Sequence, residues 1–217
     1  MKIAVFGTGS VGDTIASKLI ALGHEVKMGS RTATNDKAVA WLKKSDEKKA
    51  SIGTFADAAA FGEFIFNCTA GGVAVDVLTA AGASNLKGKV IIDISNPLDF
   101  SKGMPPTLSV SNTDSIGEQL QRAFPEAHIV KTLNTVNCDL MVNPGMLAGG
   151  DHTMFMAGND AGAKNKARHM LVEGFGWKDI LDLGDISMSR GTEMYLPLWL
   201  RMYGALQTPH FSIKVVR

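Results

Sequence analysis

Only two cysteines, Cys68 and Cys138, occur in the chain. They are too few for a disulfide scaffold and share no metal-ligand spacing. Charge of one sign is lacking too: 22 Lys and Arg against 21 Asp and Glu leave a formal net charge of +1. That near balance removes any bulk electrostatic basis for binding nucleic acid or an anionic membrane. No apolar run approaches the roughly 20 residues needed to cross a bilayer. Met1 to Phe6 leads straight into a glycine-rich turn, without the basic and apolar regions of a signal peptide. A cytoplasmic protein is therefore expected. The five histidines, at positions 24, 128, 152, 169 and 210, are scattered without metal-motif spacing. No Ser/His/Asp, Cys/His or paired-carboxylate constellation stands out either, so no metal ligand and no catalytic acid–base pair is assigned.

What is present is glycine, 23 residues of it, and its placement is informative. Lys2 to Phe6 is a short apolar run followed at once by Gly7-Thr8-Gly9-Ser10-Val11-Gly12. Val11, Ile15, Leu19 and Leu22 then recur at helical spacing, and Gly23 stops them. Glu25 to Met28 reads as a second strand. A polar helix is expected around Asp36 to Lys44, its Lys43-Lys44 pair on a solvated face, as is the pair Lys48-Lys49. A short strand near Thr54-Phe55 and a small Ala-rich helix from about Ala56 come next.

Phe64 to Thr69 is a further strand, with a helix from Val73 to about Ala81 behind it. Lys89 to Ile94 is a continuous apolar run of the kind found in buried parallel strands. Ser101 to Thr113 reads as a long loop. The alternation continues with a helix over Ser115 to Phe124 and strands over His128 to Leu133 and Thr153 to Ala157. A helix from Ala161 to about Glu173 and a strand near Ile180 to Leu183 complete it. Strand–helix alternation predicts an α/β, Rossmann-type, doubly wound and mostly parallel sheet over residues 1–185. Residues 186–217 form a small C-terminal helical segment, apolar almost all round from Ser187 to Leu206. Such a helix must be buried, either in its own domain or as a homodimer or acceptor-site contact.

A bare Gly-x-Gly-x-x-Gly says little, but this one follows a strand, opens a helix and begins a strand–helix–strand unit. Gly7 permits the tight turn, Gly9 lets the backbone approach a pyrophosphate, and Gly12 lets helix and strand pack closely. Thr8, Ser10 and Val11 complete the loop, whose helix N-terminus attracts phosphate. The end of the second strand selects the dinucleotide. NAD calls for an acidic residue about 20 positions on, to hold the ribose hydroxyls. Here Ser30-Arg31-Thr32 stands there, Arg31 being nineteen positions after Gly12, and no carboxylate occurs between Glu25 and Asp36. A guanidinium can pair with the 2′-phosphate of NADP and stack on adenine, and the Ser30 and Thr32 hydroxyls are expected to add donors. NADP(H) is the expected cofactor.

The nicotinamide should cross the carboxyl ends of the strands. Thr69-Ala70-Gly71, Asn96 within Ser95-Asn96-Pro97, and Asn134-Thr135-Val136 occupy those ends. Small and amide side chains suit contacts to ribose and carboxamide, and they also suit turns. Reduction of a carbonyl usually needs a proton donor beside the hydride path. Exchange with a flavin-like ring mainly needs stacking and orientation. A non-catalytic NADP(H) redox sensor, or a small-substrate carbonyl or imine reductase, are the alternatives.

These residues resemble the NADP oxidoreductases dependent on an 8-hydroxy-5-deazaflavin coenzyme. The likeness lies in Ile3-Ala4-Val5-Phe6-Gly7-Thr8-Gly9, Leu22-Gly23-His24-Glu25-Val26, Gly29-Ser30-Arg31, Asn96-Pro97-Leu98 and Val130-Lys131-Thr132-Leu133-Asn134-Thr135, and in the tail from Leu196 to Lys214. The chain is similar also to the cytosolic NADPH-oxidising domain of membrane metalloreductases. The resemblance implies a dimeric Rossmann protein moving hydride between NADPH and a deazaflavin or flavin acceptor, with Val136 backing the nicotinamide ring. It also marks departures. The archaeal members space their glycine loop differently, carry a Pro after the Thr of the fourth strand, and have a His where this chain has Asn134.

Overall fold

A computed structural model describes residues 1–217. Ten strands and ten α-helices follow one another along the chain. The first half runs β1 (Lys2–Phe6), α1 (Ser10–Ala21), β2 (Glu25–Ser30), α2 (Asp36–Lys43), β3 (Ala50–Thr54), α3 (Phe55–Phe61), β4 (Phe64–Asn67), α4 (Ala74–Ala81), α5 (Ala83–Leu86) and β5 (Val90–Asp93). The second half runs β6 (Leu98–Asp99), β7 (Thr107–Leu108), α6 (Ile116–Ala123), β8 (His128–Thr132), α7 (Cys138–Val142), β9 (Thr153–Gly158), α8 (Ala161–His169), β10 (Asp179–Asp182), α9 (Ser189–Met194) and α10 (Leu196–Leu206).

Eight strands form one sheet in the order β10-β9-β8-β5-β4-β1-β2-β3. From β3 to β8 every neighbouring pair is parallel, as a doubly wound fold requires. The β8–β9 pair is antiparallel, so β9 and β10, parallel to one another, run opposite to the rest. Chain order reverses at β1, which pairs with β2 on one side and β4 on the other. A crevice opens there at the carboxyl ends.

Apolar residues on alternate strand positions divide the core in two. Ile3, Val5, Phe66, Ile92 and Val130 pack on one face with α1, α7 and α8, and Ala4, Phe6, Ile65, Ile91 and Ile129 on the other with α3, α4 and α6. Both faces are covered, which is why these strands read as unbroken apolar runs.

The structure corrects four expectations. The third strand ends at Thr54 and does not include Phe55, because Thr54 caps α3. Its hydroxyl accepts from the Asp57 N–H (3.1 Å) while the Asp57 carboxylate accepts from the Thr54 N–H (2.9 Å). The loop from Ser101 to Thr113 is tied by a short antiparallel pair, Leu98–Asp99 with Thr107–Leu108. The helix expected through Glu173 changes to a π turn over Met170–Phe175, closed by Gly176 in the left-handed region. Finally, the segment from Ser187 to Leu206 is not buried all round. In α9 the buried residues are polar, Ser189, Thr192 and Glu193, and in α10 only Leu196 is buried. Its neighbours Leu198, Tyr203 and Leu206 are exposed.

Candidate dinucleotide site and the charged row beneath it

The glycine loop sits at the crevice. Gly7 has a φ of +107°, and a Cβ there would stand 2.8 Å from the Cys68 carbonyl oxygen. A Cβ on Gly12 would lie inside the Gly7 carbonyl, so helix α1 can approach β1 only with glycine at that point. Gly9 is different. It is exposed, and a Cβ there would meet no protein atom within 4 Å. The protein interior gives no reason for Gly9 to be glycine, and its backbone is open to approach from outside. Gly9 also caps α1 without a side-chain bond, leaving the first-turn N–H groups available to an anion.

Two hollows of about 460 Å³ each flank the crevice. Ser30, Arg31, Thr54, Phe55, Asp76 and Val77 are among the residues lining the first. The second is lined by Thr8, Gly9, Ser10, Asp13, Thr14, Lys37 and Ala40. Arg31 is exposed and makes no ion pair or side-chain hydrogen bond within the chain, and Thr32 beside it is exposed too. Ser30 behaves otherwise than expected. It is buried, and its hydroxyl proton is donated to the Thr32 carbonyl (2.6 Å). It shapes the turn that presents Arg31, and only its lone pairs remain for a ligand. Lys37 was invisible to sequence reasoning because it lies on a helix otherwise read as a solvated face. Its place in the hollow beside Gly9 brings a second cation to the loop.

Across the crevice, Thr69 and Gly71 also turn inward. The Thr69 hydroxyl donates to Asn67 Oδ1 (2.7 Å), and the Gly71 N–H donates to the Asn96 carbonyl (3.1 Å). A Cβ on Gly71 would collide with that same carbonyl, so the loops after β4 and β5 are packed backbone to backbone. Ala70 stays exposed at the rim. Asn96 and Asn134 join the ends of β5 and β8 through paired amide bonds. Leu133, just before, is a buried branched residue at φ +65°, a strained conformation at the turn that leads into Asn134. Thr135 and Val136 are buried behind it, and Val136 belongs to the core on the α1 face. The expected site residues thus come from five separate strand ends, those of β1, β2, β4, β5 and β8.

A charged row lies directly below. Asn67, Asp93 and Lys131 are register partners on adjacent strands. All three are buried. Lys131 Nζ stands 2.5 Å from Asp93 Oδ2 and 2.8 Å from Glu193 Oε1, and donates to the Ser95 carbonyl (2.7 Å). Asp93 Oδ1 accepts from Asn67 Nδ2 (2.8 Å) and the Ser95 N–H (3.2 Å). Glu193 also accepts from the Ile116 and Gly117 N–H groups at the start of α6 (2.8 and 3.1 Å). Every contact made by the two carboxylates is to a donor. Burial works against the Lys131 ammonium, but Asp93 and Glu193 outweigh it and raise its pKa above the usual lysine value. Burial, aided by Asp93, pushes the Cys68 thiol well above its ordinary range, so it is no nucleophile. Sequence reasoning missed this cluster: its charged members lie at 93, 131 and 193, with no local spacing to connect them.

Comparison with known proteins places this geometry. The profile of the NADP oxidoreductases described as coenzyme F420-dependent matches residues 2–97. A crystal structure from Arthrobacter sp. FB24, provisionally assigned as an F420-dependent NADP-reductase, is 52% identical, with a TM-score of 0.94 and full coverage of both chains. Metalloreductase STEAP3 of Rattus norvegicus is 27% identical over 91% of this chain, and the chain spans 38% of that protein's length. A reductive aminase from Aspergillus terreus, solved with NADPH and ethyl-5-oxohexanoate, shares the fold at 20% identity and a TM-score of 0.67. The match covers 95% of this chain and 62% of the aminase. No helix is long and apolar enough to cross a membrane.

Proposed function

The chain belongs to the coenzyme F420-dependent NADP oxidoreductase family, and from that premise we propose that it exchanges hydride between NADP(H) and a deazaflavin or flavin ring stacked on the nicotinamide. The observation that carries the reading is Arg31, an exposed and unpaired guanidinium where an NAD-binding protein needs a carboxylate. The residues fit the cofactor. Gly9 offers backbone without a side chain, the α1 amino end offers N–H groups, and Arg31 and Lys37 offer charge to the phosphates.

When bound, the dinucleotide would supply or take up a hydride. The chain's own work is positional. Gly7, Gly9 and Gly12 with Thr8, Ser10 and Val11 hold the diphosphate, and Ser30 shapes the turn on which Arg31 and Thr32 meet the 2′-phosphate. Thr69, Ala70 and Gly71 line one wall, while Asn96 and Asn134, backed by Thr135 and Val136, form the floor that orients the nicotinamide for stacking. The same reading takes the enzyme to be cytoplasmic and a homodimer. Its two copies would meet on the exposed apolar face of α10, which has no partner within one chain.

The test is NADPH oxidation by purified protein against a panel of deazaflavin, flavins, quinones and ferric chelates, followed by loss of dihydronicotinamide absorbance. Turnover with deazaflavin or flavin is expected. NADPH binding without turnover on any of them would overturn the catalytic reading in favour of a sensor.

A further inference from the structure

We propose that the buried Asp93–Lys131–Glu193 cluster sets the redox poise of the bound nicotinamide, favouring its oxidised form and making bound NADPH a stronger hydride donor. This rests on the reading that the crevice binds NADP(H). Two carboxylates and one ammonium leave one net negative charge, enclosed without exposure of Asp93 or Lys131 to solvent. The α6 amino end, which donates to Glu193, offsets about half an elementary charge at most. A negative excess therefore remains.

Its location is fixed by register. Asp93 ends β5, two residues before Ser95 and three before Asn96. Lys131 lies opposite it on β8, three residues before Asn134. Asp93 Oδ1 and Lys131 Nζ hydrogen-bond the N–H and carbonyl of Ser95, the residue before Asn96, so the cluster lies directly beneath the crevice floor, within about 10 Å of it. The intervening atoms are protein, so screening by salt and water is weak.

The two redox states of the cofactor differ in the charge of one ring. Oxidised nicotinamide carries a positive charge and reduced dihydronicotinamide none, while the phosphates are the same in both. A buried negative charge beneath the ring thus acts on one state and hardly on the other. With an effective dielectric constant near 20 and part of the charge offset by the helix, the expected preference is about 3- to 20-fold in dissociation constant. Through linkage, the same factor lowers the potential of the bound couple. Arg31 and Lys37 face the phosphates and cannot make this distinction.

The experiment compares Kd values for NADP⁺ and NADPH, by calorimetry and by nicotinamide fluorescence, in wild type, Glu193→Gln, Asp93→Asn and the double variant Glu193→Gln/Lys131→Met. Either single variant removes the net negative charge, so Kd(NADP⁺)/Kd(NADPH) should rise about 3- to 20-fold. The double variant restores one net negative charge and should bring the ratio back toward wild type, although it perturbs the packing more. A merely structural cluster would weaken both forms alike. An unchanged ratio in a folded single variant, or a ratio that rises further in the double variant, would overturn the proposal. Should neither single variant fold, the wild type decides: NADP⁺ must bind more tightly than NADPH, and equal or weaker binding refutes the cluster's role. Failure of the wild type to bind either form would instead sink the NADP(H) reading on which the proposal stands.

Discussion

Asn96 and Asn134 hold one another across the ends of two neighbouring strands. The Asn96 amide donates to the Asn134 main-chain carbonyl at 2.9 Å, and the Asn134 amide donates to Asn96 Oδ1 at 3.0 Å. The loops after β5 and β8 are thereby one unit. Asn96→Ala leaves the buried Asn134 amide without its acceptor and frees both loops. Chemical denaturation should show a loss of about 1–3 kcal/mol. NADPH affinity should fall as well, and a variant of unchanged stability and affinity would show that the pair is incidental.

The glycines of the loop separate two roles that one motif conceals. Gly12→Ala drives a Cβ into the Gly7 carbonyl, so it should destabilise the fold and lower the melting temperature sharply. Gly9→Ala meets nothing in the protein. It should melt like the wild type yet bind NADPH much more weakly, because the added methyl stands where the diphosphate must approach. Thermal melting and titration of the two variants check this directly, and equal melting temperatures for both would contradict it.

Arg31→Ala tests cofactor choice. The guanidinium has no partner to lose inside the chain, so stability should be unchanged. NADPH binding should weaken by about 1–3 kcal/mol while NADH binding hardly moves. Equal losses for both dinucleotides would remove the argument for a 2′-phosphate contact.

These cases show why some of the site could be read in the sequence and some could not. Gly7, Gly9, Gly12 and Arg31 lie within one strand–helix–strand unit, where spacing along the chain maps onto spacing in space. The parallel sheet was legible for a similar reason, since each buried strand is a local apolar run. The antiparallel turn of β9 and β10 against β8 has no local signature, because direction is set by tertiary connection. The Asp93–Lys131–Glu193 cluster is likewise assembled from three distant segments. Ser30 gives its proton to the Thr32 carbonyl, two residues on, a detail of turn geometry that residue type does not carry.

Acid should weaken the two carboxylate pairs at α6, Asp114–Arg122 and Glu118–Arg190. Arg122 hydrogen-bonds Asp114 and holds its carboxyl far below the usual range, and Arg190 does the same, less strongly, for Glu118. Both folded-state values are depressed, so the folded protein binds fewer protons than the unfolded chain in mild acid. The resulting stability is complete above the ordinary carboxylate range and is lost as pH falls through the folded values, below about pH 4. Glu118→Gln should flatten this acid limb while lowering stability at neutral pH, because it removes the Arg190 partner. Denaturation midpoints measured from pH 7 down to pH 3 test it, and an acid limb identical to wild type would exclude Glu118 as a contributor.

The exposed face of α10 bears on assembly. Leu198 is 57% exposed and Leu206 55%, with Tyr203 beside them, whereas in the same helix only Leu196 is buried. An apolar helix left open in this way costs free energy in water unless another surface covers it. If a second copy does so, Leu198→Glu places two like charges near one another at a two-fold contact. Each would be stripped of water, so the dimer should dissociate while the monomer, whose core Leu198 does not enter, keeps its melting behaviour. Light scattering on a sizing column reads the mass of both proteins. A wild type that already runs as a monomer would refute the homodimer. A Leu198→Glu protein that remains dimeric would move the contact to another face.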